Sequence, residues 1–388
     1  MKVLIISGVP SHPTNSGNSS RIASMSIELQ NLGHDVHFCF TPFQATDLDE
    51  MRSFWGPRLH CLPYRNPWRK LRFKGIPIPD RISVRLISSG LVYQSVDHPF
   101  DDGLIPELRQ LQIEHGFDAV IVHYIFFSKA LLAFPKNVLK IIDTHDIYTD
   151  RHHLLRKAGI VPEWFFTVRS EERRGLLRAN RVIAIQKNEE RFFCNLTENK
   201  VQVHTVGHFI KPVADFEIHP DSHCRVMYFG SNNTLNIDSL KFFLAEVWPL
   251  VDTANAELHV FGGVCKAFEQ QAGNVFFRGS VAKLEGAYRE ASIVVNPIQT
   301  GTGLKIKSIE AMAYGKSLVT TTCGADGLST SGGTHLIVTD QPQEMALWIK
   351  RLLIEKDLNR NTGLEAVAFA HSYYQTQVTN LMHLMDRN

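Results

Sequence analysis

The 388-residue sequence has almost no net charge, 41 basic against 39 acidic side chains, and so lacks the basic footprint of a nucleic-acid-binding surface. It has no C-x-x-C pair: its six cysteines, Cys39, Cys61, Cys194, Cys224, Cys265 and Cys323, lie far apart. In a chain too long to need disulfide staples they read as reduced, mostly buried thiols of a cytoplasmic protein. It has no apolar run of transmembrane length. Its start, MKVLIISGVPSHP, is broken by Gly8 and Pro10, which suits a buried first strand and not a secretory signal. The G-x-G-x-x-G of a nicotinamide dehydrogenase is missing after that strand, where Gly8 is followed by Val, Pro, Ser and His.

Short Val/Ile/Leu runs alternate with amphipathic stretches, the pattern of mostly parallel sheets covered by helices on both faces. Strands are expected at Lys2–Ser7, Asp35–Phe40, Asp118–His123, Val138–Asp143, Arg181–Ile185 and Val201–Val206, with a helix over Ser19–Leu32 closed by Gly33. A second series repeats this at Arg225–Phe229, Glu257–Phe261, Asn274–Phe277, Ser292–Asn296, Ser317–Thr321 and His335–Val338. Between them, Gly207–His223 has two prolines and no apolar periodicity, so two domains are expected, 1–211 and 212–370, with the boundary near Pro212. Helical patterns fill Gln343–Met385, and the tail 371–388 is expected to pack back on the first domain.

The richest stretch runs Asn296-Pro-Ile-Gln-Thr-Gly-Thr-Gly-Leu-Lys-Ile-Lys-Ser-Ile-Glu-Ala-Met-Ala-Tyr-Gly315, a strand that ends in a glycine-flanked loop opening into a helix. Such a loop suits a diphosphate. Gly301 and Gly303 admit close backbone N–H groups, the helix start adds partial positive charge, and Lys305 and Lys307 add full charges. Lys307 and Glu310, three apart, share a helix face, which leaves Glu310 to accept ribose hydroxyls. The plain alternative is a Gly-rich turn into a core helix with solvated Lys and Glu. Ser16-Gly17-Asn18 follows the first strand and precedes a helix, where open α/β sheets bind ligands; Asn18 or Ser19 as an N-cap reads equally well. His123 closes its strand at the sheet's carboxyl edge, either as a catalytic hydrogen-bonding group or as a satisfied structural donor. Asp143-Thr144-His145-Asp146 closes the next strand; it falls short of a metal-ligand set, and acceptor binding through His145 and Asp146 is the preferred reading.

GTGLKIKSIEAMAYGKSLVTT, followed by Gly324-Ala325-Asp326-Gly327-Leu328, resembles the family 4 retaining glycosyltransferases. The likeness covers Val226–Leu328, including Phe229-Gly230-Ser231-Asn232, and is more diffuse over the first half. It implies an α/β GT-B fold, two Rossmann-like doubly wound domains facing a cleft. It also implies metal-independent transfer with retention from a nucleotide-sugar, which is a substrate, so no cofactor is expected.

The resemblance places Glu310 on the second glutamate of the family's Glu, seven residues, Glu motif, which holds the ribose. The first falls on Thr302, a departure that leaves the donor sugar open. Ser231-Asn232-Asn233 stand where many relatives carry Arg and Lys on the pyrophosphate. The expected donor set is therefore Gly17, Asn18, Ser231, Asn232, Val281 beside the base, Gly301, Thr302, Gly303, Leu304, Lys305, Lys307 and Glu310. His123 matches a histidine that relatives carry near the donor sugar and acceptor. A nucleotide-sugar epimerase of the same fold and a degenerate nucleotide-sugar-binding module are the rival readings. Arg65–Arg85 holds seven Lys or Arg and one acid interleaved with Trp68, Leu71, Phe73, Ile76 and Ile78. It reads either as a solvated loop or as a peripheral contact with an anionic inner membrane face that delivers a sugar or lipid-linked acceptor.

Overall fold

The computed structural model describes all residues except 15, 44–46, 66–71, 74–75, 78–81, 83–85, 87–88, 90–91, 158, 160–164, 214–223, 252–254, 269–272, 282–283, 329–334 and 387–388, and the side chains of 72, 73, 76 and 77. It divides into two compact units. The first comprises 1–14, 18–207 and 380–388, and the second 15–17 and 208–379.

The first unit is built on seven parallel strands: β1 Lys2–Ser7, β2 Asp35–Phe40, β3 Leu59–Cys61, β6 Ala119–His123, β7 Leu139–Asp143, β8 Arg181–Ala184 and β9 Gln202–Thr205. Their order is β3-β2-β1-β6-β7-β8-β9, so the winding reverses between β1 and β6. β3 is new relative to the sequence reading; with only Leu-His-Cys it is too short to show an apolar period. β4 Arg72–Phe73 and β5 Ile76–Pro77 pair antiparallel apart from the sheet. The rest of the basic stretch Arg65–Arg85, on which the membrane reading falls, lies almost wholly outside the described residues.

The second unit repeats the plan with six parallel strands, β10 Arg225–Phe229, β11 Glu257–Phe261, β12 Val275–Gly279, β13 Ile293–Asn296, β14 Ser317–Thr320 and β15 Ile337–Val338. The order is β12-β11-β10-β13-β14-β15, with the reversal between β10 and β13. In each unit the strand runs are sealed on both faces. Leu4, Ile6, Val120, Val122, Ile142 and Val182 join one core, and Val226, Tyr228, Leu258, Val260, Ile293 and Val295 another. Burial on both faces is why the strands read as continuous apolar runs.

The first helix opens at Gly17 and runs to Asn31. Asn18 and Ser19 therefore lie inside its first turn, which corrects their reading as N-caps: a cap must stand outside the helical residues. The chain changes unit between Gly207 and His208, just ahead of Pro212. The last helix, Lys356–Met385, ends within the first unit, where Asn380 Nδ2 donates to the Thr205 carbonyl at 2.8 Å and Arg181 donates to the Leu384 carbonyl.

Candidate functional sites in the two units

In a doubly wound sheet, ligands bind beyond the carboxyl ends of the strands where the winding reverses. In the second unit that point is the end of β10 and β13, where Ser231, Asn232 and the loop Gly301–Lys305 follow the strands. β10 ends at Phe229 and leads through Gly230 and Ser231 to Asn233. The side chain of Asn233 caps the helix Thr234–Phe242 by accepting from Asn236 N at 2.9 Å. Ser231 Oγ receives bonds from Asn233 and Asn236, so this turn is locally satisfied, whereas Asn232 is exposed. Neighbouring strands also end in glycine. Gly262 follows β11 with φ +94, and a Cβ there would meet the Gly230 carbonyl at 2.3 Å, so only glycine lets these strand ends approach. Gly279, with φ +72, closes β12, and Val281 just beyond it is 37% exposed.

β13 leads into the loop Gln299–Lys305 and then the helix Ile306–Ala313. Gly301 (φ 139) and Gly303 (φ 76) both adopt backbone conformations that L side chains rarely take. Leu304 is buried beneath them. Lys305 is also buried and curls back on its own loop, donating to the carbonyls of Thr302 at 3.0 Å and Gly303 at 2.7 Å. Thr302 Oγ1 is buried without a hydrogen-bond partner among the described residues.

Lys307 and Glu310 do not converge as their shared helix face suggested. Lys307 Nζ turns to the end of β10, bonding the Phe229 carbonyl at 3.1 Å and Asn236 Oδ1 at 2.9 Å, with the Tyr228 ring 5.0 Å away. Glu310 receives the Tyr288 hydroxyl at 3.5 Å and lies 3.8 Å from His208 Nε2. A four-methylene stem reaches the neighbouring strand's carbonyls, which helix spacing alone does not reveal. Burial and the nearby Lys305 together push the Lys307 ammonium down from its ordinary pKa. An anion placed here would restore it.

In the first unit the reversal point lies beside β6, whose last residue is His123. β6 and β7 pair so that His123 and Asp143 are register partners, and both are fully buried. His123 Nδ1 is 3.1 Å from Asp143 Oδ2 and 2.8 Å from His145 Nε2, while His145 Nε2 is 3.3 Å from the same carboxylate oxygen. Arg21, from the first helix and 1% exposed, grips both oxygens of Asp143, Nη2 to Oδ1 at 2.7 Å and Nε to Oδ2 at 3.0 Å. It also donates to the carbonyls of Gly207 at 2.8 Å and Val206 at 2.9 Å. Burial alone raises the Asp143 pKa; the charge of Arg21, aided by His145 and His123, outweighs that and holds the carboxyl well below its usual range. Burial likewise drives His145 toward the neutral form.

Sequence reading did not find Arg21. A single arginine in an amphipathic stretch carries no sign that its partner stands 122 residues away. Register does offer a signal for the pair His123 and Asp143, since both end adjacent parallel strands. His145, expected to bind acceptor, is packed into this cluster against the ring of Tyr124, whose centroid is 4.1 Å away. Asp146 accepts from Arg151 at 2.6 Å and from Ile147 N at 2.9 Å. Gly17 and Asn18 open the first helix, Asn18 exposed.

His123, Asp143 and His145 also place three ligand-type atoms within 4.8 Å of one another, one such group among the described residues. Their chemistry does not suit a divalent cation. Both carboxylate oxygens already serve a permanent guanidinium charge, which a second cation bound to Oδ2 would have to face at close range in a buried setting.

Residues 223–355 match the family glycosyl transferases group 1. A stretch of 176 residues is 25% identical to an uncharacterized 44.6 kDa protein in the cps region of Klebsiella pneumoniae, covering 41% of this chain and 43% of that protein. The fold is similar to sucrose-phosphate synthase from Thermosynechococcus elongatus, with a TM-score of 0.68 at 15% identity over 99% of this chain and 98% of the other. It is also similar to S. aureus TarM in complex with fondaparinux, α-GlcNAc-glycerol and UDP (0.68, 12%, covering 99% of both chains). Anabaena HepE in complex with UDP and glucose is a third (0.65, 14%, covering 100% of both). The chain thus has a GT-B fold, within which residues 223–355 match the glycosyl transferases group 1 family.

Proposed function

We propose that the protein is a glycosyltransferase that moves a sugar from a nucleotide-sugar, bound by the second unit, to a hydroxyl acceptor. The observation that carries this reading is the loop Gly301–Lys305 at the winding reversal of the second sheet, inside the family match. That stretch has two glycines in rare conformations, a buried Thr302 hydroxyl without a partner among the described residues, and Lys305, and the helix that follows carries Lys307 and Glu310. Diphosphate oxygens would take the loop N–H groups and draw Lys305 and Lys307 from the backbone carbonyls they now bind, and Glu310 would accept the ribose hydroxyls. HepE and TarM, similar in fold, were each solved with UDP. The reading includes retention of configuration and cytoplasmic transfer in assembly of cell-surface polysaccharide or glycolipid, in keeping with the cps-region relative.

The test is incubation with a panel of nucleotide-sugars while nucleoside diphosphate release and products are followed. Transfer to an acceptor supports the reading. A changed donor sugar with no transfer points to an epimerase, and binding without turnover to a degenerate module. Activity is expected to survive a chelator, because lysines and helix-end amides neutralise the leaving diphosphate. Strict dependence on restored Mg²⁺ or Mn²⁺ would contradict that expectation.

His123 is proposed to meet the reacting hydroxyl. His123→Ala is expected to lower kcat by about 10²-fold or more while nucleotide affinity, a property of the other unit, stays near the parent value. Unchanged turnover returns His123 to a structural role. The acceptor is proposed to be anionic or lipid-linked on the charge of Arg65–Arg85 alone. Replacing Arg69, Lys70, Arg72 and Lys74 by serine is expected to weaken sedimentation with anionic vesicles and to reduce acceptor use. No vesicle binding by the parent at low salt removes this part of the proposal.

A further inference from the structure

We infer that Asp143, clamped by Arg21, is a positioning residue that fixes the ring and tautomer of His123 and leaves its Nε2 as the free acceptor at the reacting hydroxyl. The inference rests on the transferase reading above and adds to it the groups that make His123 competent.

His123 is fully buried, and its Nε2 has no hydrogen-bond partner among the described residues. The opposite nitrogen is crowded: Nδ1 lies between Asp143 Oδ2 at 3.1 Å and His145 Nε2 at 2.8 Å. One proton serves this triangle of atoms, and its placement decides what Nε2 can do. With the proton on His123 Nδ1, the carboxylate accepts it and Nε2 carries a lone pair. With the proton on His145 Nε2, His123 Nδ1 becomes the acceptor and its Nε2–H is a buried orphan donor.

Two features favour the first arrangement. The carboxylate oxygen is closer to His123 than to His145, 3.1 against 3.3 Å. An orphaned buried N–H is also rarer in folded proteins than an under-used acceptor. The carboxylate cannot swing toward His145, because Arg21 holds both of its oxygens and is itself fixed by the Val206 and Gly207 carbonyls. His145 is held by the stacked ring of Tyr124, interplanar angle 17°. Register completes the arrangement: His123 and Asp143 are partners across β6 and β7, so the backbone sets their side chains on one face. A hydroxyl meeting Nε2 then donates its hydrogen bond into the lone pair, and the charge that develops on the imidazole is stabilised by Asp143 on the far side.

The first test needs no substrate. Full-length protein labelled with ¹⁵N in histidine is read for the protonation of each ring nitrogen, with His123 assigned by comparison with His123→Gln. The expected spectrum shows His123 Nδ1 protonated and Nε2 unprotonated; the reverse assignment overturns the inference. Stoichiometric, tight uptake of Zn²⁺ by chelator-stripped protein with loss of the Nδ1–H signal also overturns it, because the triangle is then a ligand set.

The second test is the paired variant Arg21→Met with Asp143→Asn, which removes both charges and leaves neither buried alone. Its kcat is expected to fall about 100-fold with the KM for the donor within about twofold of the parent. A parent-like kcat in a folded variant overturns the inference; if the variant does not fold, the labelled parent decides. A parent that transfers no sugar ends the transferase reading, whereas a parent that transfers sugar with His123 in the reverse tautomer ends only this inference.

Discussion

Replacing Arg21 with leucine is expected to destabilise the first unit by about 3–5 kcal/mol, the usual cost of leaving one member of a buried ion pair without its partner. Arg21 and Asp143 are 1% and 0% exposed, so the abandoned carboxylate is buried, and the guanidinium's bonds to the carbonyls of Val206 and Gly207 are lost as well. The effect has a pH signature. In the parent, Asp143 has a folded pKa held below its unfolded value, so its contribution is present above the unfolded pKa near 3.8 and is lost as pH falls toward the folded one. In the variant, burial acts without Arg21 and the folded pKa rises above the unfolded value, so acidification relieves the penalty. The gap between parent and variant is therefore expected to narrow as pH is lowered through the carboxylate range. Because the two units need not unfold together, the measurement is hydrogen exchange on β6 and β7 or limited proteolysis of the first unit, not one melting temperature. A loss below 1 kcal/mol at neutral pH would mean that Asp143 is protonated or hydrated in the parent.

The plan of each sheet is legible in the sequence because buried parallel strands leave continuous apolar runs. Lys2–Ser7, Asp35–Phe40, Arg225–Phe229 and Glu257–Phe261 have the same bounds in both readings, and others, such as Val138–Asp143 against Leu139–Asp143, differ by a residue. β3 escaped because three residues cannot display a period. The two candidate sites differ in a more instructive way. The loop at Gly301–Lys305 is contiguous, so its glycines, lysines and helix are readable in one glance, and the family resemblance rests on the same stretch. The cluster around His123 is assembled from a helix and two strand ends far apart in sequence, and its organising residue is an arginine that looks like any other surface cation. Even in the contiguous site, direction was hidden: helix spacing brings Lys307 and Glu310 to one face, but the carbonyl of Phe229 takes the lysine one way and Tyr288 holds the glutamate another.

That division makes Glu310 the sharper probe of donor binding. Glu310→Ala is expected to weaken donor affinity by roughly 10- to 150-fold, the equivalent of about 1.5–3 kcal/mol for a lost hydrogen bond to a charged group. The carboxylate stands on the second turn of the helix Ile306–Ala313 with its side chain 14% exposed, close to water and held by a long contact from Tyr288. Its removal should cost the free protein only about 1 kcal/mol, mostly for the Tyr288 hydroxyl left without an acceptor. Glu310→Gln is the informative companion. An amide oxygen still receives Tyr288, so stability should return to the parent value, while a neutral acceptor bonds ribose hydroxyls less strongly than a carboxylate and recovers only part of the affinity. Lys307 gives an internal control, because it turns to the end of β10 and does not depend on Glu310 for its place. Free nucleoside diphosphate, titrated calorimetrically against both variants, reads the ribose and diphosphate contacts without any chemistry. If Glu310→Ala binds the diphosphate as tightly as the parent, the carboxylate does not hold the ribose, and the donor site must be sought away from the helix Ile306–Ala313.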